Sequence, residues 1–148
     1  ERKLGMAKGL NGIIRLHKWQ VDEKRRQITD LEVMRSELIE KLEKLLQGLE
    51  SEKESLAKSN VVNINYANYA SNVMSRRVNI EASITEVDVS IENMKDELSD
   101  AFKELKKYEI VEQRAIEREK LEQSRREQDR LDEISINMYR NSARRSRS

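Results

Sequence analysis

The sequence predicts an all-α fold, a two-helix antiparallel coiled-coil hairpin with unequal arms in which helix two is the longer. Three observations carry this. An apolar stripe recurs at alternating three- and four-residue steps through most of the 148 residues. No proline interrupts it, where a usage of about 5% would supply roughly seven. One short cluster of asparagines and β-branched residues breaks the otherwise helix-favouring composition.

The stripe runs Ile28, Leu31, Arg35, Leu38, Leu42, Leu45, Leu49, Glu52 and Leu56. It resumes as Val73, Arg77, Ile80, Ile84, Val87, Ile91, Met94, Leu98, Ala101, Leu105 and Tyr108. Its spacing averages about 3.5 residues, the period of a helix that buries one narrow seam against another. Leu10, Ile14 and Val21 extend it upstream, with His17 and Lys24 at the alternate positions, so that end of the seam is half polar.

Gly5, Gly9 and Gly12 place the first dozen residues in coil, and helix one is expected from about residue 12 to 59. Met6-Ala7-Lys8 reads as a natural start and Glu1 to Gly5 as a vector-derived leader. Residues 1–11 are therefore expected to form a flexible N-terminus. Gly48 lies in a helical interior, at a cost of about 1 kcal/mol relative to alanine.

The turn is expected near 60–65. Ser59-Asn60-Val61-Val62-Asn63-Ile64-Asn65 is the poorest helix former in the chain. Asn60 can end a first helix, and Asn63 or Asn65 can begin a second. Helix two is then expected from about 66 to 140, closing a hairpin over 12–140, with 141–148 as a basic disordered tail. An alternative fits the same pattern. Leu56, Ser59, Asn63, Tyr66, Ala70 and Val73 carry the rhythm through the turn without a register shift. A parallel dimeric coiled-coil spacer or scaffold, roughly 190 Å long at the helical rise, would read the same way.

Folding about residue 63 brings Leu42 near Ile84, Leu31 near Met94 or Lys95, Val21 near Leu105, and Ile14 near Glu112. Roughly 28 residues of helix two, about 40 Å, then extend beyond helix one. From Glu112 to Arg130 the aliphatic residues are Ala115, Ile116 and Leu121 in a field of charge. A helix polar all round is bridging solvent or awaiting a partner. Leu131, Ile134 and Met138 then form a short apolar stripe on a different face.

Composition narrows the function. Charged residues make up 39% and the hydrophobic class 36%, which suits a seam better than a layered core. The 29 basic and 28 acidic residues nearly cancel, leaving no global field to draw the protein to nucleic acid or membrane. Cysteine is absent, so disulfides and thiolate metal sites are excluded. No apolar run approaches the ~20 residues of a membrane span. His17 has no nucleophile motif around it, and neither phosphate loops nor metal-ligand spacings occur. No catalytic residue, metal or cofactor is expected, and the protein is not expected to be an enzyme.

Nucleic acid is disfavoured because acidic residues alternate with the basic ones and stacking aromatics are not interleaved. A weaker reading gives the arginine-rich tail an RNA or membrane-surface role. Tyr66 and Tyr69, at the start of helix two, suit either the last layer of the seam or an anchor for a protein partner. Trp19, off the stripe, has the same two readings.

Leu10, Ile14, Arg15 and Leu16 opening the first helix, Val21-Asp22-Glu23-Lys24 after them, Asn68-Tyr69 at the hairpin tip and Leu131-Asp132-Glu133-Ile134 near the end make the chain resemble the flagellar export family FliJ, with its injectisome counterpart YscO. The likeness covers nearly the whole chain through short motifs. It departs near the end of the first arm, where family members carry aromatics and this chain has Gly48, Leu49 and Glu52.

The resemblance implies a non-enzymatic stalk and adaptor of the bacterial flagellar (type III) export apparatus, similar to the central stalk of rotary ATPases. It implies contact with a hexameric, FliI-like export ATPase through the terminal ends, here Ile14, Arg15, Lys18, Arg118, Arg125, Arg126, Arg130 and Met138. It also implies contact with an FlhA-like export-gate subunit or with export chaperones around Asn68, Tyr69 and Val73. The protein would be a monomer when free and cytoplasmic. When assembled it would lie at the cytoplasmic face of the inner membrane, held there only through its partners.

Overall fold

The computed structural model describes the backbone of residues 2–59 and 64–147, with side chains at 9–58 and 65–147. All the described secondary structure is α-helical. Helix α1 spans Arg2–Ser59 and α2 spans Ile64–Arg147, 58 and 84 residues respectively. The arms are thus unequal, as the stripe requires.

Both helices outrun their expected ends. Helix α1 starts at Arg2 rather than near residue 12, which corrects the coil assigned to the first dozen residues. Each of Gly5, Gly9 and Gly12 costs about 1 kcal/mol, yet good helix formers surround them and the Leu10–Ile14 stripe gives those turns something to pack on. At the other end α2 continues to Arg147 through the stretch expected to be a disordered tail. Arg144, Arg145 and Arg147 occupy its last turn, where positive charge offsets the helix dipole. The Ser146 hydroxyl donates to the Ala143 carbonyl at 3.1 Å. Helix α2 also begins at Ile64, so Asn65 already lies inside it. The capping roles expected of Asn60 and Asn63 fall outside the described residues.

The chain forms two units, His17–Lys103 and Glu1–Leu16 with Glu104–Ser148. In the first, α1 and α2 run antiparallel. Lys24 donates to Glu97 at 2.9 Å and Arg35 donates to Asp88, across sequence separations of 73 and 53 residues. Both pairs join α1 to α2, and the turn expected near 60–65 falls largely outside the described residues. Such pairs do not arise in a continuous helix, and the parallel spacer does not describe this chain.

Within that unit the core is the predicted stripe. Val21, Ile28, Leu49, Val73, Val87 and Ile91 are all buried, with Leu31, Leu38, Leu42, Leu45, Ile80, Ile84, Met94 and Leu98 half-buried between them. Polar stripe residues reach out of the seam. The half-buried Lys24 and Arg35 lay their stems along it and bring their charge to an acid on the opposite helix. Arg77 turns instead to Glu81 on its own helix at 3.0 Å. Glu52 is exposed. Tyr66 is half-buried in the seam, and Trp19 stands 58% exposed.

Candidate functional site

In the unit formed by residues 1–16 and 104–148, Ile14 and Leu105 are buried, at 7% and 6% exposure. The stripe ends at the half-buried Glu112, and every residue from Gln113 to Arg147 is exposed. The cause is plain in the sequence. Glu119, Glu122, Arg126 and Asp129 continue the 3-4 rhythm beyond Ala115, and these four stripe positions offer no apolar side chain for a helix to bury against.

Where the seam gives out, the two helices leave a groove of about 740 Å³ between them. Gly9, Leu10 and Ile13 of α1 line it on one side, and Val111, Ala115 and Ile116 of α2 on the other. A Cβ at position 9 would meet only open space. The rim of the groove is mainly acidic, with Glu112, Glu119 and Glu122 against Arg118. Ile13, Val111 and Ile116 remain 40%, 51% and 41% exposed, so this wall is apolar and accessible to a partner.

Of the residues expected to contact an ATPase ring, Arg15, Arg118, Arg125, Arg126 and Arg130 are exposed and Met138 is 69% exposed. Arg126 and Arg130 share one face with Gln123 and Glu127 around a shallow depression. Ile14 lies in the seam, so it would support such a surface rather than form it. Lys18, also exposed, belongs to the other unit. Among the residues expected to face an export gate, Asn68 is exposed, Tyr69 is 39% exposed and Val73 is buried at 2%. Sequence reasoning passed over Ile13 and Val111. Their signal was an apolar residue adjacent to a seam position, which a search for the stripe alone discards.

The local electrostatics are those of a solvated helix. Lys107 donates to Glu104 at 2.9 Å. That hydrogen bond, with the carboxylate charge behind it, raises the Lys107 ammonium above its usual 10.5. Further along, Gln113 donates to Glu117 at 3.4 Å and Gln128 to Asp132 at 3.2 Å, pairs that steady an exposed helix modestly. Among the described residues no group of three or more His, Cys, Asp or Glu could hold a metal ion. No described helix is long and apolar enough to cross a membrane.

An antiparallel helical pair, an accessible apolar groove and a long arginine-bearing exposed helix define the class, a helical coiled-coil protein. The chain belongs to the flagellar FliJ family, whose model, described as flagellar FliJ protein, matches residues 6–144. Membership gives it a role associated with flagellar protein export, in a family that is a non-enzymatic component of that process. No curated protein and no solved structure matches the chain.

Proposed function

We propose that the chain is a stalk and adaptor of the flagellar (type III) export apparatus. It contacts a hexameric, FliI-like export ATPase with one set of residues and an FlhA-like gate subunit or export chaperones with another. The first set comprises Arg15, Arg118, Arg125, Arg126, Arg130 and Met138, supported from the seam by Ile14; the expected contact of Lys18 is a separate one. The second is Asn68 and Tyr69, together with the buried Val73. The free protein is a cytoplasmic monomer that reaches the cytoplasmic face of the inner membrane in the assembled apparatus.

The observation that carries this reading is the uninterrupted exposure of Gln113–Arg147 in a chain of this family. A helix exposed over that length suits insertion into a polar ring lumen. Its arginines are five-donor forks that can pair with carboxylates at several rotational positions. The apolar groove supplies an anchor that charge alone would not give.

Pull-down and ATPase stimulation with the cognate export ATPase test it. Binding and stimulation are expected at micromolar concentration, with R118Q/R125Q/R126Q/R130Q weakening both at least tenfold and Gly9→Leu, which fills the groove, weakening binding. Absence of both binding and stimulation for the parent chain overturns the reading.

A further inference from the structure

The last turns of α2 carry a second surface, built differently from the one assigned to the ring. Between Ile134 and Arg147 there are four arginines and no acidic residue, in a chain whose charges otherwise nearly cancel. At 3.6 residues per turn, Tyr139, Ala143, Ile136, Arg147, Arg140 and Arg144 follow one another around roughly 140° of the helix. Half of that arc is apolar and half is basic. Tyr139 and Ile136 are 77% and 53% exposed, and the three arginines are exposed as well. Leu131, Ile134 and Met138 lie outside the arc, on another side of the helix.

We propose that this face binds an anionic lipid surface directly, with α2 lying in the plane of the interface. The chemistry of the arc selects that occupant. Tyrosine favours the headgroup level, with its ring among apolar groups and its hydroxyl in water. Arginines rest their aliphatic stems on the same apolar boundary while their guanidiniums fork onto phosphates. A basic amphipathic helix of this kind associates with anionic membranes without spanning them, and no described helix is apolar enough to span one. Nucleic acid fits less well. The basic stretch is short and follows Asp129, Asp132 and Glu133, and Ile136 and Ala143 would gain nothing from a phosphate backbone. With three arginines on the face and few apolar groups the binding is weak, reversible and salt-sensitive. Because Met138 lies off the arc, lipid contact does not occupy that part of the ring surface.

The test is flotation of the full chain, without ATPase, on vesicles of phosphatidylcholine alone and of phosphatidylcholine with about a third phosphatidylglycerol. Partition onto the anionic vesicles at low salt is expected, at least tenfold above the neutral ones and lost in half-molar salt. R140Q/R144Q/R147Q should weaken it on the order of 100-fold, and I136S/Y139S about tenfold, with helical content by circular dichroism changed by no more than fraying of the last turn because these side chains are exposed. Leu121→Ser, off this stretch, should leave it unaltered. Equal partition onto neutral vesicles, no partition at low salt, or undiminished binding by the arginine triple variant overturns the proposal. So does tighter retention on a single-stranded oligonucleotide than on anionic vesicles at equal phosphate. With no ATPase present, failure here leaves the stalk reading standing.

Discussion

The Tyr69 hydroxyl stands 3.3 Å from the point where a Cβ on Gly48 would lie. Gly48, in the interior of α1, is therefore the place where a tyrosine from α2 leans over that helix. The atom it would crowd is the far end of a flexible ring that is 39% exposed.

That geometry sets the sign for Gly48→Ala. Alanine recovers about 1 kcal/mol of helix propensity, and the phenol can swing a few tenths of an ångström into solvent. The melting temperature should rise by about 2–4 °C. A fall would show that Tyr69 is pinned. Gly48→Leu should drive Tyr69 off α1 altogether and, if Tyr69 anchors a gate subunit, weaken that interaction without unfolding the chain.

Seam and surface should respond differently to the same kind of truncation. Ile91 is 7% exposed and Val89, two residues earlier, is 55% exposed. Ile91→Ala is expected to cost about 2–4 kcal/mol in urea unfolding, against about 0.5 kcal/mol or less for Val89→Ala. Equal losses would contradict the seam.

Arg35 occupies a stripe position where apolar residues are the rule, and its ion pair with Asp88 is nearly half exposed on both sides. Solvent screening limits such a pair to less than about 1 kcal/mol. Arg35→Leu should therefore stabilise the hairpin by on the order of 1 kcal/mol, since an added buried side chain outweighs the lost pair. Asp88 stays solvated. A marked loss of stability would mean the pair specifies register.

The Lys107–Glu104 hydrogen bond makes a small pH-dependent contribution. Because the folded ammonium is held above 10.5, the pair is fully formed below that pH and is lost as pH rises through the higher folded value. Helicity should show a slight decline in that alkaline range, and Lys107→Gln should remove that component of the titration. An effect at neutral pH would have another origin.

Much of the fold was legible because a 3.5-residue repeat is a local property. Ile14, Val21, Ile28, Leu49, Val73, Val87, Ile91 and Leu105, the most buried apolar residues, all fall on the stripe. The same logic already implied that Ile14 and Val73 would face inward rather than meet a partner. What stayed hidden depends on the register between helices. Ile13, Val111 and Ile116 become a groove only once the chain doubles back, and nothing near Gly48 in the sequence announces Tyr69. The helix ends were misjudged for a different reason. Glycines at 5, 9 and 12 were weighed singly, whereas a helix is set by the sum over its turns.

From Gln113 to Arg147 every residue of α2 is exposed. Hydrogen exchange should therefore fall into two classes, slow under the seam and fast along that stretch, where each opening costs only local helix energy. Part of the ordering cost of any complex formed there would then fall on the helix itself. Conditions or substitutions that firm it in isolation, such as Gln123→Ala, should tighten association without adding a single intermolecular contact.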